Sequence, residues 1–130
     1  MLTLLVADDN RLSRELIRDV FESAECRIVE ARDGREALER VEETNPDLVL
    51  LDLEMPIHDG FAVLAEMRRN PRYRGIPVAA VTAQAMQSDR ERIAAAGFDA
   101  YIPKPIKSKE LRDRVYQLLK SRQEGIYGRG

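Results

Sequence analysis

Three carboxylates, one hydroxyl and one ammonium each come at or after the end of a short apolar run in this sequence. Asp8 and Asp9 follow the first run, Asp52 ends the third, Thr82 follows the fourth, and Lys104 follows the fifth. Each residue alone could be a helix cap or a surface charge, and for Asp9 or Thr82 alone that interpretation is favoured. If the five residues were unrelated helix caps or surface charges, there would be no reason for these residue types to occur together.

Their chemistry points to phosphoryl transfer. Carboxylates held close together repel one another and raise a pKa unless a cation joins them, and oxygen-rich clusters of this kind suit Mg²⁺. With Mg²⁺, a carboxylate can attack a phosphoryl group to give an aspartyl phosphate, while an ammonium and a hydroxyl bind the remaining oxygens. We expect Asp52 to be the nucleophile because it ends the central strand. Asp8 and Asp9 then belong to the metal side, and Thr82 and Lys104 to the phosphoryl side.

The elements that must position these residues alternate along the chain. Short runs rich in β-branched residues predict strands at residues 3–7, 27–31, 48–51, 78–81 and 100–102. Amphipathic segments predict helices between and after them. These begin after Asn10, at Asp33 with Glu36, near Phe61, at Ser88 with Glu91, and after Ser108, with Gly97 ending the fourth.

Five strand-then-helix units in succession predict an α/β domain with a parallel sheet covered by helices on both faces. In open sheets of this kind, ligands bind outside the carboxyl ends of the strands. All five candidate residues are therefore predicted to lie at one edge.

Composition restricts the class of protein. The chain has 130 residues, of which 44% are hydrophobic and 34% charged, with a formal net charge of −2. These values favour one globular domain and argue against bulk binding to nucleic acid or anionic membranes. A single cysteine, Cys26, and apolar runs much shorter than a membrane span favour a cytoplasmic protein.

Four quoted motifs, in order, make the sequence resemble a response-regulator receiver domain of two-component signalling. They are "VADDN", "PDLVLLDLEMPIHDG", "IPVAAVTA" and "AYIPKPI", and the longer stretch "VAAVTAQAMQSDRERIAAAGFDAYIPKPI" overlaps the last two. The stretch is most similar to single-domain cell-division regulators and to receivers of hybrid histidine kinases. The resemblance implies a flavodoxin-like fold with strand order 2-1-3-4-5.

The resemblance also implies roles for individual residues. Asp52 would be the phosphoacceptor, with Asp9 holding Mg²⁺ directly, Asp8 mostly through water, and the main-chain carbonyl of Glu54 completing the protein ligands. Thr82 and Tyr101 would be the switch residues.

Further roles are expected around the pocket. Lys104 would bind phosphate and precede Pro105 in a cis peptide. Glu54 and Gln84 border the pocket and could tune the lifetime of the phosphoryl group. The single histidine, His58, follows Pro56 in a predicted exposed loop, so the phosphodonor histidine is expected on a sensor histidine kinase or histidine phosphotransfer protein.

Two other functions are open alternatives. A haloacid-dehalogenase-like phosphatase also uses Asp, Mg²⁺, a hydroxyl and Lys. That class requires a second Asp two residues after the nucleophile, where this chain has Glu54. A phosphorylation-independent binding module of receiver shape would normally have lost the acidic pair, the nucleophile or the lysine.

The expected organisation is a receiver domain at residues 1–122 and a flexible tail at 123–130. With no effector domain expected after Lys104, and no direct DNA binding or membrane insertion, output is expected through a downstream protein partner. The expected partner surface spans the fourth helix, fifth strand and fifth helix, with Arg90, Arg92, Tyr101, Lys107 and Arg112 as members.

Overall fold

The computed structural model describes residues 1–83 and 86–128, with side chains described as far as residue 122. Within this part of the chain, strands and helices alternate strictly. The strands are Leu2–Ala7 (β1), Cys26–Ala31 (β2), Leu48–Asp52 (β3), Val78–Thr82 (β4) and Ala100–Pro103 (β5); the helices are Arg11–Phe21 (α1), Gly34–Thr44 (α2), Gly60–Arg69 (α3), Gln87–Ala96 (α4) and Ser108–Gly128 (α5).

The strands form one parallel sheet in the order β2-β1-β3-β4-β5, which confirms the predicted fold and strand order. The register pairs Ala7 with Leu51, Asp52 with Val81, and Thr82 with Pro103. The carboxyl ends of the four strands β1, β3, β4 and β5 are thereby aligned at one edge.

Hydrophobic layers cover both faces of the sheet because successive strand residues point to opposite sides. Leu5, Val49 and Leu51 pack with α2, α3 and α4 on one face. Leu4 and Leu50 pack with α1 and α5 on the other. Burial on both faces explains why β3 and β4 read as continuous apolar runs.

Several predicted helix ends are confirmed. The Asn10 side chain caps α1 by accepting hydrogen bonds from the N–H groups of Leu12 and Ser13, and Asp33 caps α2 by accepting from Glu36. Gly97 ends α4 with a φ of 103°, a left-handed conformation that glycine adopts without steric cost.

The α4 helix lies close to its predicted position, but the predicted capping role of Ser88 is wrong. The helix begins at Gln87, after Met86, and the Asp89 carboxylate accepts the Met86 N–H at 3.2 Å. Because this carboxylate already satisfies a free N–H at the helix start, Ser88 lies inside the first turn and does not cap it.

The last helix is longer than expected from the sequence. The α5 backbone is helical to Gly128, so it includes residues 123–128 of the predicted tail, whereas residues 129 and 130 lie outside the described part. Flexibility of the 123–130 segment stays a prediction. No helix among the described residues is both long and apolar enough to cross a membrane.

Candidate functional site

The residues predicted to act together lie at the carboxyl edge of the sheet. Asp52 and Thr82 are the last residues of β3 and β4, while Asp8 and Lys104 directly follow β1 and β5. Backbone hydrogen bonds continue the strand pairing past the strand ends: Asp8 N–H donates to the Ala31 carbonyl at 3.0 Å, and Lys104 N–H to the Thr82 carbonyl at 2.9 Å. The sheet itself therefore fixes the backbone of these four residues.

Three carboxylates meet at this edge. One oxygen each from Asp8, Asp9 and Asp52 lies within 4.8 Å of the other two. Asp8 is 1% exposed and Asp52 is 5% exposed, whereas Asp9 faces solvent. The Lys104 ammonium nitrogen lies 3.0 Å from Asp8 Oδ2 and 3.4 Å from Asp52 Oδ2. One cation thus faces two buried anions.

Backbone donors orient the two buried carboxylates. Asn10 N–H donates to Asp8 Oδ1 at 2.8 Å, and Glu54 N–H donates to Asp52 Oδ1 at 3.2 Å. Asp8 Oδ2, although close to Lys104, receives no hydrogen bond of suitable geometry from the described residues and is shielded from solvent. Together, the carboxylate oxygens of Asp8, Asp9 and Asp52 form the kind of oxygen donor set that Mg²⁺ prefers, so these residues fit that ion.

Burial and charge shift the ionisation of the pocket. Burial of Asp52, followed by the charge of Asp8, raises the pKa of Asp52 to about 6, despite the Glu54 hydrogen bond and the Lys104 charge. Burial by itself would lower the pKa of Lys104, but the nearby Asp8 and Asp52 outweigh it and the pKa of Lys104 is raised. At neutral pH the ammonium is therefore charged, and ionised Asp52 is held at a free-energy cost.

The remaining predicted site residues surround this cluster. Thr82 is buried, and Tyr101 is half-buried against the core on the α2–α4 face. Glu54 is exposed at the start of the β3–α3 loop, and Gln84 lies outside the described residues. The Lys104–Pro105 peptide bond is cis, as the resemblance implied.

Most residues of the predicted partner surface are exposed. Arg90, Lys107 and Arg112 are exposed, as is His58 in the β3–α3 loop. Arg92, also predicted to belong to the partner surface, is exposed as well, and its guanidinium carbon lies over the Phe61 ring of α3, 4.2 Å from the ring centroid.

Two glycines that the sequence analysis did not single out allow backbone segments to pack closely around the β3–α3 loop. A Cβ atom on Gly60 would lie 2.5 Å from the Asp52 carbonyl oxygen, and one on Gly34 would lie 1.9 Å from the His58 carbonyl oxygen. Each glycine directly follows an aspartate that caps a helix, Asp59 and Asp33. The repeated Asp-Gly pair is the sequence signal that could have identified them.

A small groove opens beside the acidic cluster. It has a volume of about 400 Å³ and is lined by Asp9, Glu54, Phe61 and Arg92 together with neighbours in the β3–α3 loop. A larger groove of about 960 Å³ lies near the amino ends of β4 and β5, beside Arg68 and Pro77, and includes none of the site residues. The acidic cluster, and not the larger groove, is therefore the candidate functional site.

With this geometry established, comparison with known proteins identifies the family. A family model described as the response regulator receiver domain matches residues 4–116. The chain belongs to this family.

Relatives of this receiver domain agree in sequence and fold. The polar-differentiation response regulator DivK of Brucella ovis is 40% identical over 104 residues, which span 80% of this chain and 85% of DivK. The Francisella response regulator 1452 receiver domain superposes with a TM-score of 0.84 at 30% identity, covering 93% of this chain and 98% of that one.

A third relative bears on the metal. The receiver domain of the sensor histidine kinase PA1611 from Pseudomonas aeruginosa has a TM-score of 0.83 at 30% identity, covering 92% of this chain and 98% of that one. Its structure is described with a magnesium ion coordinated in the active-site cleft.

Replacement of Gly60 by alanine tests the close packing behind Asp52. The added Cβ meets backbone and cannot be accommodated by a side-chain rotation, so Gly60→Ala should lower the free energy of unfolding by about 1–3 kcal/mol in a denaturant titration. Gly75→Ala is the matched control because nothing lies within 4 Å of its Cβ position. Equal stability of the two variants would contradict the packing described.

Replacement of Asp52 by asparagine tests the ionisation of the pocket. Because the pKa of Asp52 is raised from 3.8 to about 6 on folding, native stability falls as pH rises through this window, and the loss is complete above it. Without divalent cations, Asp52→Asn should therefore be more stable than the wild type at pH 7.5, by about 1–3 kcal/mol. Most of this gain should vanish at pH 4.

The matched control for that experiment is Asp113→Asn, which removes an exposed carboxylate from α5. Its stability should stay within about 0.5 kcal/mol of the wild type. A destabilised Asp52→Asn protein at pH 7.5 would show that ionised Asp52 is not held under strain.

Proposed function

We propose that this receiver domain is a phosphorylation-activated signalling switch in which Asp52 accepts a phosphoryl group from a histidine. The donor is a sensor histidine kinase or a histidine phosphotransfer protein, and the reaction takes place in the cytoplasm. The observation that supports this most is the position of Asp52: it is a buried carboxylate at the end of the central strand, and it shares the Lys104 ammonium with Asp8.

In the proposed reaction, an oxygen of ionised Asp52 forms a bond to phosphorus as the bond between phosphorus and the donor imidazole nitrogen breaks. The electron pair of that bond returns to the imidazole, and the product is an acyl phosphate on Asp52. Because the pKa of Asp52 is about 6, most of the carboxylate is ionised and nucleophilic at neutral pH.

Two groups are placed to bind the phosphoryl oxygens. The Lys104 ammonium already lies 3.4 Å from Asp52 Oδ2, so a small movement of its flexible side chain would bring it to the transferred group. Thr82 is the last residue of the adjacent strand β4, and its hydroxyl is the second expected hydrogen-bond donor to the phosphoryl oxygens. Both would stabilise charge on the phosphoryl group during transfer.

Mg²⁺ is the proposed cofactor. Asp8, Asp9, Asp52 and the main-chain carbonyl of Glu54 would hold it, which fits the cluster of three carboxylates. When bound, the ion neutralises part of the negative charge that the carboxylates and the phosphoryl group bring together. The protein would catalyse only its own phosphorylation and dephosphorylation.

The surface formed by α4, β5 and α5 is proposed to change on phosphorylation and to bind the downstream protein partner. A phosphoryl group adds a charge of about −1.5 to −2 and new acceptor oxygens, which would draw Thr82 and Lys104 toward Asp52. Tyr101, on the strand next to Thr82, would then move further inward, and α4 would shift with it. The exposed Arg90, Lys107 and Arg112 would meet the downstream protein partner.

Phosphorylation of Asp52 is tested by intact mass. In acetyl phosphate and Mg²⁺, the wild type should gain the mass of one phosphoryl group, and Asp52→Asn should gain none. Asp113→Asn should be labelled like the wild type. Undiminished labelling of the Asp52→Asn protein would exclude Asp52 as the acceptor.

The metal site is tested by removing its exposed ligand. Asp9→Ala should weaken Mg²⁺ binding at least about tenfold in a titration followed by amide NMR, because even indirect partners of metal ligands contribute that much. Asp113→Ala, a carboxylate outside the cluster, should bind Mg²⁺ like the wild type. If Asp9→Ala bound Mg²⁺ as tightly as the control, Asp9 would not be a ligand.

A further inference from the structure

Helix α4 is attached to the domain through few buried groups. Among its described side chains, Ile93 is the one that is buried, at 2% exposure. Residues 94–96 of the helix are exposed alanines. A helix with so little buried apolar surface can change position at low cost, so individual contacts on it have a large influence.

One such contact is a stack that joins α4 to α3. The Arg92 guanidinium lies over the Phe61 ring at 4.2 Å from its centroid. The Phe61 ring in turn meets Phe98 edge to face, with centroids 5.7 Å apart and an interplanar angle of 80°. Phe98 is buried directly after the Gly97 cap of α4, so the stack ties both the helix and the loop that follows it to Phe61.

The stack lies beside the phosphoacceptor. Phe61 follows Gly60, whose N–H donates to the Leu53 carbonyl at 3.1 Å. Arg92 and Phe61 also line the 400 Å³ groove that contains Asp9 and Glu54. A change at Asp52 can therefore reach Phe61 through the short β3–α3 loop, and Phe61 reaches α4 through Arg92.

We propose that Arg92 is a positioning residue: its stack on Phe61 holds α4 in the resting position, and the stack must separate when α4 shifts. This inference rests on the proposed function. An exposed cation–π contact is worth about a two- to fivefold change in an equilibrium constant. Loss of the stack should therefore raise the population of the shifted position by about that factor.

Because the position of α4 and ligand binding are thermodynamically linked, the direction of the change in ligand affinity can be predicted. If removal of Arg92 favours the shifted position, a phosphoryl mimic that selects this position must bind more tightly by up to the same factor. Simple electrostatics predicts the opposite, because loss of a cation near the pocket should weaken the binding of an anion. The direction of the change thus separates a positioning role from a role of charge alone.

The experiment measures beryllofluoride binding in saturating Mg²⁺ by amide NMR, with all variants verified as folded by circular dichroism. Arg92→Ala and Phe61→Leu should bind about two- to fivefold more tightly than the wild type. Their ligand-free α4 amides should be displaced toward the bound-state positions. Arg92→Lys, which keeps a cation above the ring, should lie closer to the wild type, and the double variant should add little to either single change.

The control is Arg114→Ala, which removes an exposed guanidinium from α5 and should leave affinity and α4 amides unchanged. Unchanged or weaker binding by Arg92→Ala, with the wild type binding normally and shifting its α4 amides, would overturn this inference alone. A wild type that binds no beryllofluoride would overturn the proposed function and the inference together.

Discussion

The contact between the Lys104 ammonium and the two buried carboxylates of Asp8 and Asp52 is the interaction on which the site depends. One positive charge cannot neutralise two buried negative ones, and Asp9 adds a third carboxylate within 4.8 Å. The pocket is thus left with excess negative charge, and the pKa of Asp52 is raised, first by burial of its carboxylate and then by the charge of Asp8. In the proposed function, a divalent cation would relieve this repulsion, and Lys104 would then be available to the oxygens of the phosphoryl group.

The fold can hold these charges close together because the sheet, not the side chains, fixes their separation. Hydrogen bonds from Asp8 and Lys104 N–H groups extend the strand pairing on both sides of β3, and Gly60 packs against the Asp52 carbonyl. The hydrophobic layers on the two faces stabilise the sheet independently of the pocket. The domain can therefore tolerate an unfavourable cluster at one edge, as functional sites commonly do.

Much of this was predictable from the sequence, since continuous apolar runs such as residues 48–51 determine a parallel sheet and thereby place Asp8, Asp52, Thr82 and Lys104 at one edge. Other features depend on contacts between residues far apart in the chain. Two examples are the clash that a side chain at Gly34 would make with His58 and the stack of Arg92 on Phe61. The hydrophobic periodicity of the sequence does not reveal either contact. The predicted cap of α4 was wrong for a local reason. The carboxylates of Asp89 and Glu91 could each accept a hydrogen bond from a backbone N–H at the helix start, and in the structure Asp89 accepts it from Met86.

The central claim, that burial and Asp8 hold Asp52 in an unfavourable ionised state that a cation relieves, is tested most directly by titrating the Asp52 side-chain carboxyl carbon by NMR. In the absence of divalent cations, we expect a titration midpoint near 6, and in saturating Mg²⁺ a clearly lower one. A midpoint near the ordinary aspartate value of about 4 that does not change on addition of Mg²⁺ would contradict the account.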